Sequence, residues 1–141
     1  MVLKLMNATH RALLAATGGK VGWSFSGMPV VELTTTGRKS GLPRKTMLTS
    51  PYQDGPKLVV VASRGGDDRH PAWYYNLVAN PEVTASVGGQ PAQKMRAEVL
   101  EPAERDRLWA IIAAKYRNYA GYQKRTTRTI PLVMLHPESG A

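Results

Sequence analysis

The chain predicts an α+β fold that is mainly β: a small antiparallel barrel of about six strands with helices packed outside it. Three observations lead there. Short β-branched segments recur at close spacing, each bounded by glycine, proline or asparagine. Two of the boundaries, Gln53-Asp-Gly-Pro56 and Gly88-Gly89, are tight enough to join neighbouring strands only as hairpins. Few helical stretches intervene, and 141 residues suit one domain spanning 1–141.

Leu3–Ala16 reads as an amphipathic N-terminal helix within residues 1–18, with Leu3, Met6, His10, Leu13 and Leu14 on one face and Thr17-Gly-Gly19 ending it. Gly22 to Gly27 is a loop holding Trp23 and Phe25. Val30–Thr36 is a strand by its β-branched content, Gly37–Gly41 a turn, and Pro43–Pro51 a second strand. Lys57–Ser63 is the clearest strand, because Leu58–Ala62 is apolar without interruption and so predicts burial on both faces. Pro71 opens a short helix, where its missing N–H costs nothing, and Asn80-Pro81 ends it. Val83–Val87 and Gln93–Leu100 are paired strands. Ala103–Lys115 is a helix, with Glu104 in its first turn and Leu108, Ile111, Ile112 and Lys115 at helical spacing. Ile130–Leu135 is the last strand.

Composition narrows the chemistry. With no cysteine and three histidines (His10, His70, His136) far apart, disulfides, thiolate nucleophiles and a protein-held metal centre are not expected. Redox chemistry would therefore come from a bound cofactor. No apolar run approaches the roughly 20 residues of a membrane-spanning helix, which predicts a soluble, cytoplasmic protein. The first helix is amphipathic enough for weak contact with the inner membrane surface, though packing on the barrel competes with that. A formal charge of +9 favours anionic partners.

Two basic turns follow apolar strands. Gly37-Arg38-Lys39-Ser40-Gly41, with Arg44 beyond it, can be a solvated turn or an anion-binding nest, its glycines letting successive N–H groups converge. Arg38, Lys39 and Arg44 would add charge-assisted hydrogen bonds. Ser63-Arg64-Gly65-Gly66 can be a plain turn or a place where backbone approaches a ligand, with the Ser63 hydroxyl as donor. Trp73 and Asn76 lie one helical turn apart. The tryptophan fits a core or a ligand wall, whereas a buried asparagine amide needs partners. His70 reads as a local hydrogen-bonding residue. Tyr116, Tyr119 and Tyr122 recur every three residues, either as a packing stripe or as a pocket wall able to donate a hydrogen bond or proton.

Taken together, Thr35-Thr-Gly-Arg-Lys-Ser-Gly-Leu-Pro-Arg44, Ala62-Ser-Arg-Gly-Gly66, His70-Pro-Ala-Trp-Tyr-Tyr-Asn-Leu77, Ala79-Asn-Pro-Glu-Val83 and Tyr119-Ala-Gly-Tyr-Gln123 resemble the deazaflavin (coenzyme F420)-dependent nitroreductase and quinone reductase family of actinobacteria. The resemblance runs from about Gly18 to Pro137. It implies a split β-barrel like that of FMN-binding oxidoreductases, and hydride transfer from reduced F420 to an apolar small-molecule acceptor: a quinone, a nitroaromatic or an activated alkene such as an unsaturated lactone. It implies that Lys39 and Arg44 meet the coenzyme's phosphate or glutamate tail. Ser63, Arg64 and Gly66 would lie along the coenzyme, and Pro71, Trp73 and Asn76 near its ring and ribityl chain. Tyr116, Tyr119 and Tyr122 would border the acceptor, with Ser63 or a tyrosine assisting proton delivery and Trp23 helping to enclose it. Arg64 departs from the lysine usual there, and Met47 and Thr49 replace a proline and an aromatic or aliphatic residue.

Two other readings compete. The same fold could hold a flavin or haem. A basic barrel could also bind nucleic acid, but that use needs aromatics interleaved with basic residues on a strand face. Here the aromatics concentrate in helices and loops and the basic residues in turns, so no nucleic-acid partner is expected.

Overall fold

The computed structural model describes residues 24, 25 and 27–138. The expected N-terminal helix and Trp23 lie outside them. Eight strands form one sheet: β1 (Ser24–Phe25), β2 (Met28–Thr36), β3 (Pro43–Thr49), β4 (Tyr52–Asp54), β5 (Lys57–Val61), β6 (Glu82–Val87), β7 (Gln93–Val99) and β8 (Leu132–Pro137). Three α-helices accompany them: α1 (Ala72–Ala79), α2 (Pro102–Lys115) and α3 (Arg117–Lys124). The strand order is β1-β2-β6-β7-β8-β5-β4, with β3 also paired to β2, and every pairing is antiparallel.

The expectation of about six strands falls short for identifiable reasons. Part of the segment read as the 22–27 loop forms β1 against Met28 and Pro29. The Pro43–Pro51 strand ends at Thr49, and chain direction changes at Ser50-Pro51 before Tyr52–Asp54 pairs with β5. The hairpin at Gln53–Pro56 is present, with Gly55 at φ +60°. Ile130 precedes β8 instead of opening it.

β5 shows how the sheet is buried on both sides. Leu58, Val60 and Ala62 join Val31, Leu33, Val83, Ala85, Met95, Ala97, Val133 and Leu135 on one face, closed by Trp73 and Leu77 of α1. Val59 and Val61 join Ile130, Leu132 and Met134 on the other, beneath Leu108 and Ile112 of α2 and Tyr119 of α3. The period of two distributes an uninterrupted apolar run to two cores.

Ser50 ties the seam between the β3 and β4 ends of the sheet. Fully buried, it donates its N–H to Pro29 O (3.0 Å), and its hydroxyl lies 2.7 Å from Val59 O and 3.0 Å from Tyr52 O. Ser50→Ala removes the hydroxyl from a closed site and is expected to lower stability by about 1–2 kcal/mol, read as a shifted urea midpoint at constant slope.

Candidate functional site

A cleft of about 1010 Å³ opens between the β2–β3 turn, β3 and the start of α1. Lys39, Arg44, Arg64, Pro71, Trp73 and Asn76, all singled out from the sequence, line it. Arg38, Lys45, Arg69 and His70 line it too. Six cations therefore surround it, and no described carboxylate lines it. Glu32, outside the cleft, reaches Lys45 at 4.0 Å. Met47, Leu48, Pro71, Trp73 and Tyr75 supply an apolar and aromatic side.

The turn that carries Lys39 is not the open nest that its glycines suggest. Gly37 N–H donates to Leu42 O and Gly41 N–H to Gly37 O, both at 2.8 Å. Leu42 N–H donates to Ser40 Oγ, and Arg38 N–H to Asn76 Oδ1 at 3.1 Å. Three of those donors close the turn and the fourth ties it to α1, while the exposed Lys39 and Arg44 side chains bring charge to the cleft. Arg44 Nη2 lies 3.4 Å from Ser40 Oγ, while the Arg38 guanidinium sits 4.9 Å from the Tyr75 ring centroid. Gly41, at φ +72°, provides the reversal that returns the chain to β3.

Asn76 answers the question raised by a buried amide. Its Nδ2 donates to Thr35 Oγ1 at 3.2 Å while its Oδ1 accepts from Arg38. It thereby locks α1 to β2 and to the cationic turn, which fixes one edge of the cleft.

The segment after β5 forms the opposite edge. Arg64 sits at φ +46°, a left-handed conformation uncommon for a residue with a Cβ, followed by Gly65 at +64° and Gly66 at +84°. Arg128, 58 to 66 residues distant in sequence, holds this segment. Its guanidinium donates to Asp67 O (2.7 Å), Ser63 O (2.8 Å), Ala62 O (3.2 Å) and His70 Nδ1 (2.8 Å). Thr126 Oγ1 donates to Asp68 Oδ1, and Arg125 Nη1 to Gly65 O. Burial and the Arg128 charge push the His70 pKa below its ordinary value.

Ser63 and Gly66 sit beside the cleft but do not line it. Ser63 is buried, and its carbonyl serves Arg128. Gly66 is also buried, and a Cβ there would meet Tyr122 O at 2.5 Å, so it is where the segment packs on α3.

The three tyrosines form a separate group. Tyr116 is the extended residue between α2 and α3, while Tyr119 and Tyr122 belong to α3. Their rings pack edge-on, with centroids 6.4 Å apart for Tyr116–Tyr119 and 5.9 Å for Tyr119–Tyr122. The Tyr119 hydroxyl lies 3.3 Å from Thr49 Oγ1 on β3 and 3.7 Å from Met28 Sδ. Burial raises its pKa, outweighing the opposing effect of the Thr49 contact, and its O–H donates toward Met28 Sδ.

Arg38, expected from the sequence to bind an anion beside Lys39 and Arg44, lines the cleft, whereas Arg69 and the clamp Arg128 were not singled out. The turn at Ser63–Gly66 was visible in the sequence, but nothing local to Arg128 announces partners so far upstream.

A curled antiparallel sheet in this strand order, with helices on its faces, is a split β-barrel. A pyridoxamine 5'-phosphate oxidase-type structure from Listeria innocua shares the fold, with a TM-score of 0.55 at 15% identity over 92% of this chain and 94% of its own. Residues 6–137 match the family described as F420H(2)-dependent quinone reductase, and the chain belongs to that family. It is 42% identical over 130 residues to the F420H(2)-dependent quinone reductase of Mycobacterium tuberculosis, covering 89% of this chain and 86% of that one. The structure of an F420-H2 dependent reductase superposes with a TM-score of 0.67 at 40% identity, over 77% of this chain and 94% of its own. A second structure, described as a domain-swapped dimer, reaches 0.70 at 37% identity over 94% and 96%. The chain is thus an oxidoreductase of an F420-dependent family. Among the described residues no helix is long and apolar enough to cross a membrane.

Proposed function

We propose that this protein reduces a quinone by hydride transfer from F420H2, with the coenzyme's anionic tail held in the cationic cleft. The observation that carries the proposal is the charge asymmetry: six cations line the cleft and no described carboxylate does. A phosphate-bearing, glutamate-tailed coenzyme matches that lining, and the aromatic side at Pro71 and Trp73 suits a flat ring.

When bound, the reduced deazaflavin supplies a hydride. The chain's own residues bind, orient and exclude water. Lys39, Arg44 and Arg64 draw the anionic tail to one end. Pro71 and Trp73 restrict the ring. Asn76 keeps the turn that carries Lys39 against α1, and Ser63 and Gly66 maintain the course of the segment that presents Arg64. Orientation of donor and acceptor lowers the barrier by several kcal/mol, on the order of the proximity effect, without a basic catalytic side chain.

The acceptor is assigned to the tyrosine side. Support comes from Tyr119, whose hydroxyl contacts Thr49 on the strand that lines the cleft with Met47 and Leu48. Tyr116, Tyr119 and Tyr122 would wall the acceptor and offer a phenolic proton to its oxygen. The test is oxidation of F420H2 with menadione, a nitroaromatic and an unsaturated lactone, followed by absorbance. Turnover is expected with menadione first, and Tyr119→Phe is expected to lower that turnover severalfold while leaving coenzyme affinity within about twofold. Absence of oxidation with every acceptor, or loss of coenzyme affinity alone in Tyr119→Phe, would contradict this reading.

A further inference from the structure

Among the described residues, His70 is the one titratable side chain lining the cleft that is not a lysine, arginine or tyrosine. Its Nδ1 lies 2.8 Å from Arg128 Nη1. A guanidinium has donors and no acceptor and keeps its proton, so Nδ1 must be the accepting nitrogen. A neutral imidazole that accepts at Nδ1 carries its hydrogen on Nε2. Arg128 is itself fixed by three carbonyls, those of Ala62, Ser63 and Asp67, so it can neither turn away nor yield to a different tautomer. The ring is also held in place by Tyr74 and Tyr75, at centroid distances of 4.5 and 5.6 Å. Arg128, Tyr74 and Tyr75 are the titratable or charged groups in contact with it.

We propose that Arg128 is a positioning residue that fixes His70 as the Nε2–H tautomer, and that His70 donates a hydrogen bond through this N–H to an uncharged carbonyl oxygen of the coenzyme. The division of labour is chemical. The lysine and arginine side chains lining the cleft bring charge, which suits a phosphate or carboxylate. His70 precedes Pro71 and Trp73 at the aromatic side, where a neutral donor can serve a carbonyl without drawing the anionic tail to the wrong end. Burial first, and the Arg128 charge behind it second, push the imidazole pKa below its ordinary value and so favour the neutral ring.

This inference rests on the F420 reading, and the experiment separates the two. Nitrogen-15 NMR of the wild-type protein without coenzyme is expected to show His70 as the Nε2–H tautomer at pH 7. An Nδ1–H tautomer or a charged ring would overturn the inference. Coenzyme affinity is then measured by fluorescence titration for wild type, His70→Gln, His70→Asn and His70→Phe, with thermal melts confirming that each is folded. Glutamine places an N–H near the Nε2 position, whereas asparagine replaces only the Nδ1 acceptor that Arg128 uses. Glutamine is expected to stay within about twofold of wild type, and asparagine and phenylalanine to weaken binding about five- to tenfold. Any other ordering overturns the proposal, including rescue by asparagine and not glutamine, which would assign His70 to supporting Arg128 alone. Failure of the wild-type protein to bind F420 would instead overturn the coenzyme reading, while leaving the tautomer measurement intact.

Discussion

Lys39→Ala combined with Arg44→Ala is expected to weaken F420 binding about a hundredfold at low salt, since each charge-assisted hydrogen bond to the coenzyme is worth roughly 1.4 kcal/mol. Both side chains are solvent-exposed, and both line the cleft. The turn that carries Lys39 is closed by backbone bonds within 37–42 and by Asn76, none of which uses either charged head. The fold should therefore survive, with a melting temperature close to wild type. Salt supplies the internal control. Wild-type affinity should fall as ionic strength rises, and the double variant should respond less, because fewer fixed charges remain to be screened. Equal affinities at low salt would remove the cleft from the coenzyme's path. A parallel fall of both proteins with salt would place the recognising charges at Arg38, Arg64 or Arg69 instead.

That turn also shows where a sequence can be read and where it cannot. Its position, its cations and its glycines were all visible, since they depend on local composition. The sequence left a solvated turn and an anion nest open, and it could not show that the N–H groups of Gly37, Gly41, Leu42 and Arg38 are taken by Leu42, Gly37, Ser40 and Asn76. Competition between a turn's own closure and a ligand is settled by dihedral angles, which residue types do not specify. The strands were legible for the opposite reason. Leu58–Ala62 serves two cores through simple alternation, so an unbroken apolar run was enough to predict burial on both faces of β5. Arg128 was illegible because its four acceptors lie 58 to 66 residues upstream, and a surface arginine and a half-buried clamp look alike in a string of letters. The tyrosine spacing left a packing stripe and a pocket wall equally open, and could not reveal that Tyr119 and Tyr122 share a helix or that the phenol of Tyr119 ends on Thr49.

Gly66→Ala is expected to be the most destabilising single methyl that can be added near the site, by about 3 kcal/mol. Two costs combine. The backbone at φ +84° is left-handed, which a residue with a Cβ occupies at roughly 1–2 kcal/mol. The new methyl would also meet Tyr122 O at 2.5 Å, Tyr122 Cα at 2.9 Å and Arg125 Cβ at 3.0 Å. Two of those atoms are helix backbone and cannot rotate aside, so α3 must move, and overpacking of this kind costs about 1–3 kcal/mol. A fall in melting temperature of roughly 10 °C follows for a chain of this length. Gly65→Ala separates the costs, because a Cβ there meets nothing within 4 Å at φ +64° and only the backbone term of about 1–2 kcal/mol remains. The comparison also decides what Gly66 does. If its purpose is to let α3 dock, the alanine variant will melt early yet bind F420 with affinity within a few-fold of wild type well below its transition. If the glycine instead leaves room for the coenzyme, the melting temperature will stay near that of Gly65→Ala and affinity will collapse. Packing predicts the first outcome, since the atoms nearest to the missing Cβ belong to α3 and its C-terminal end and not to the cleft.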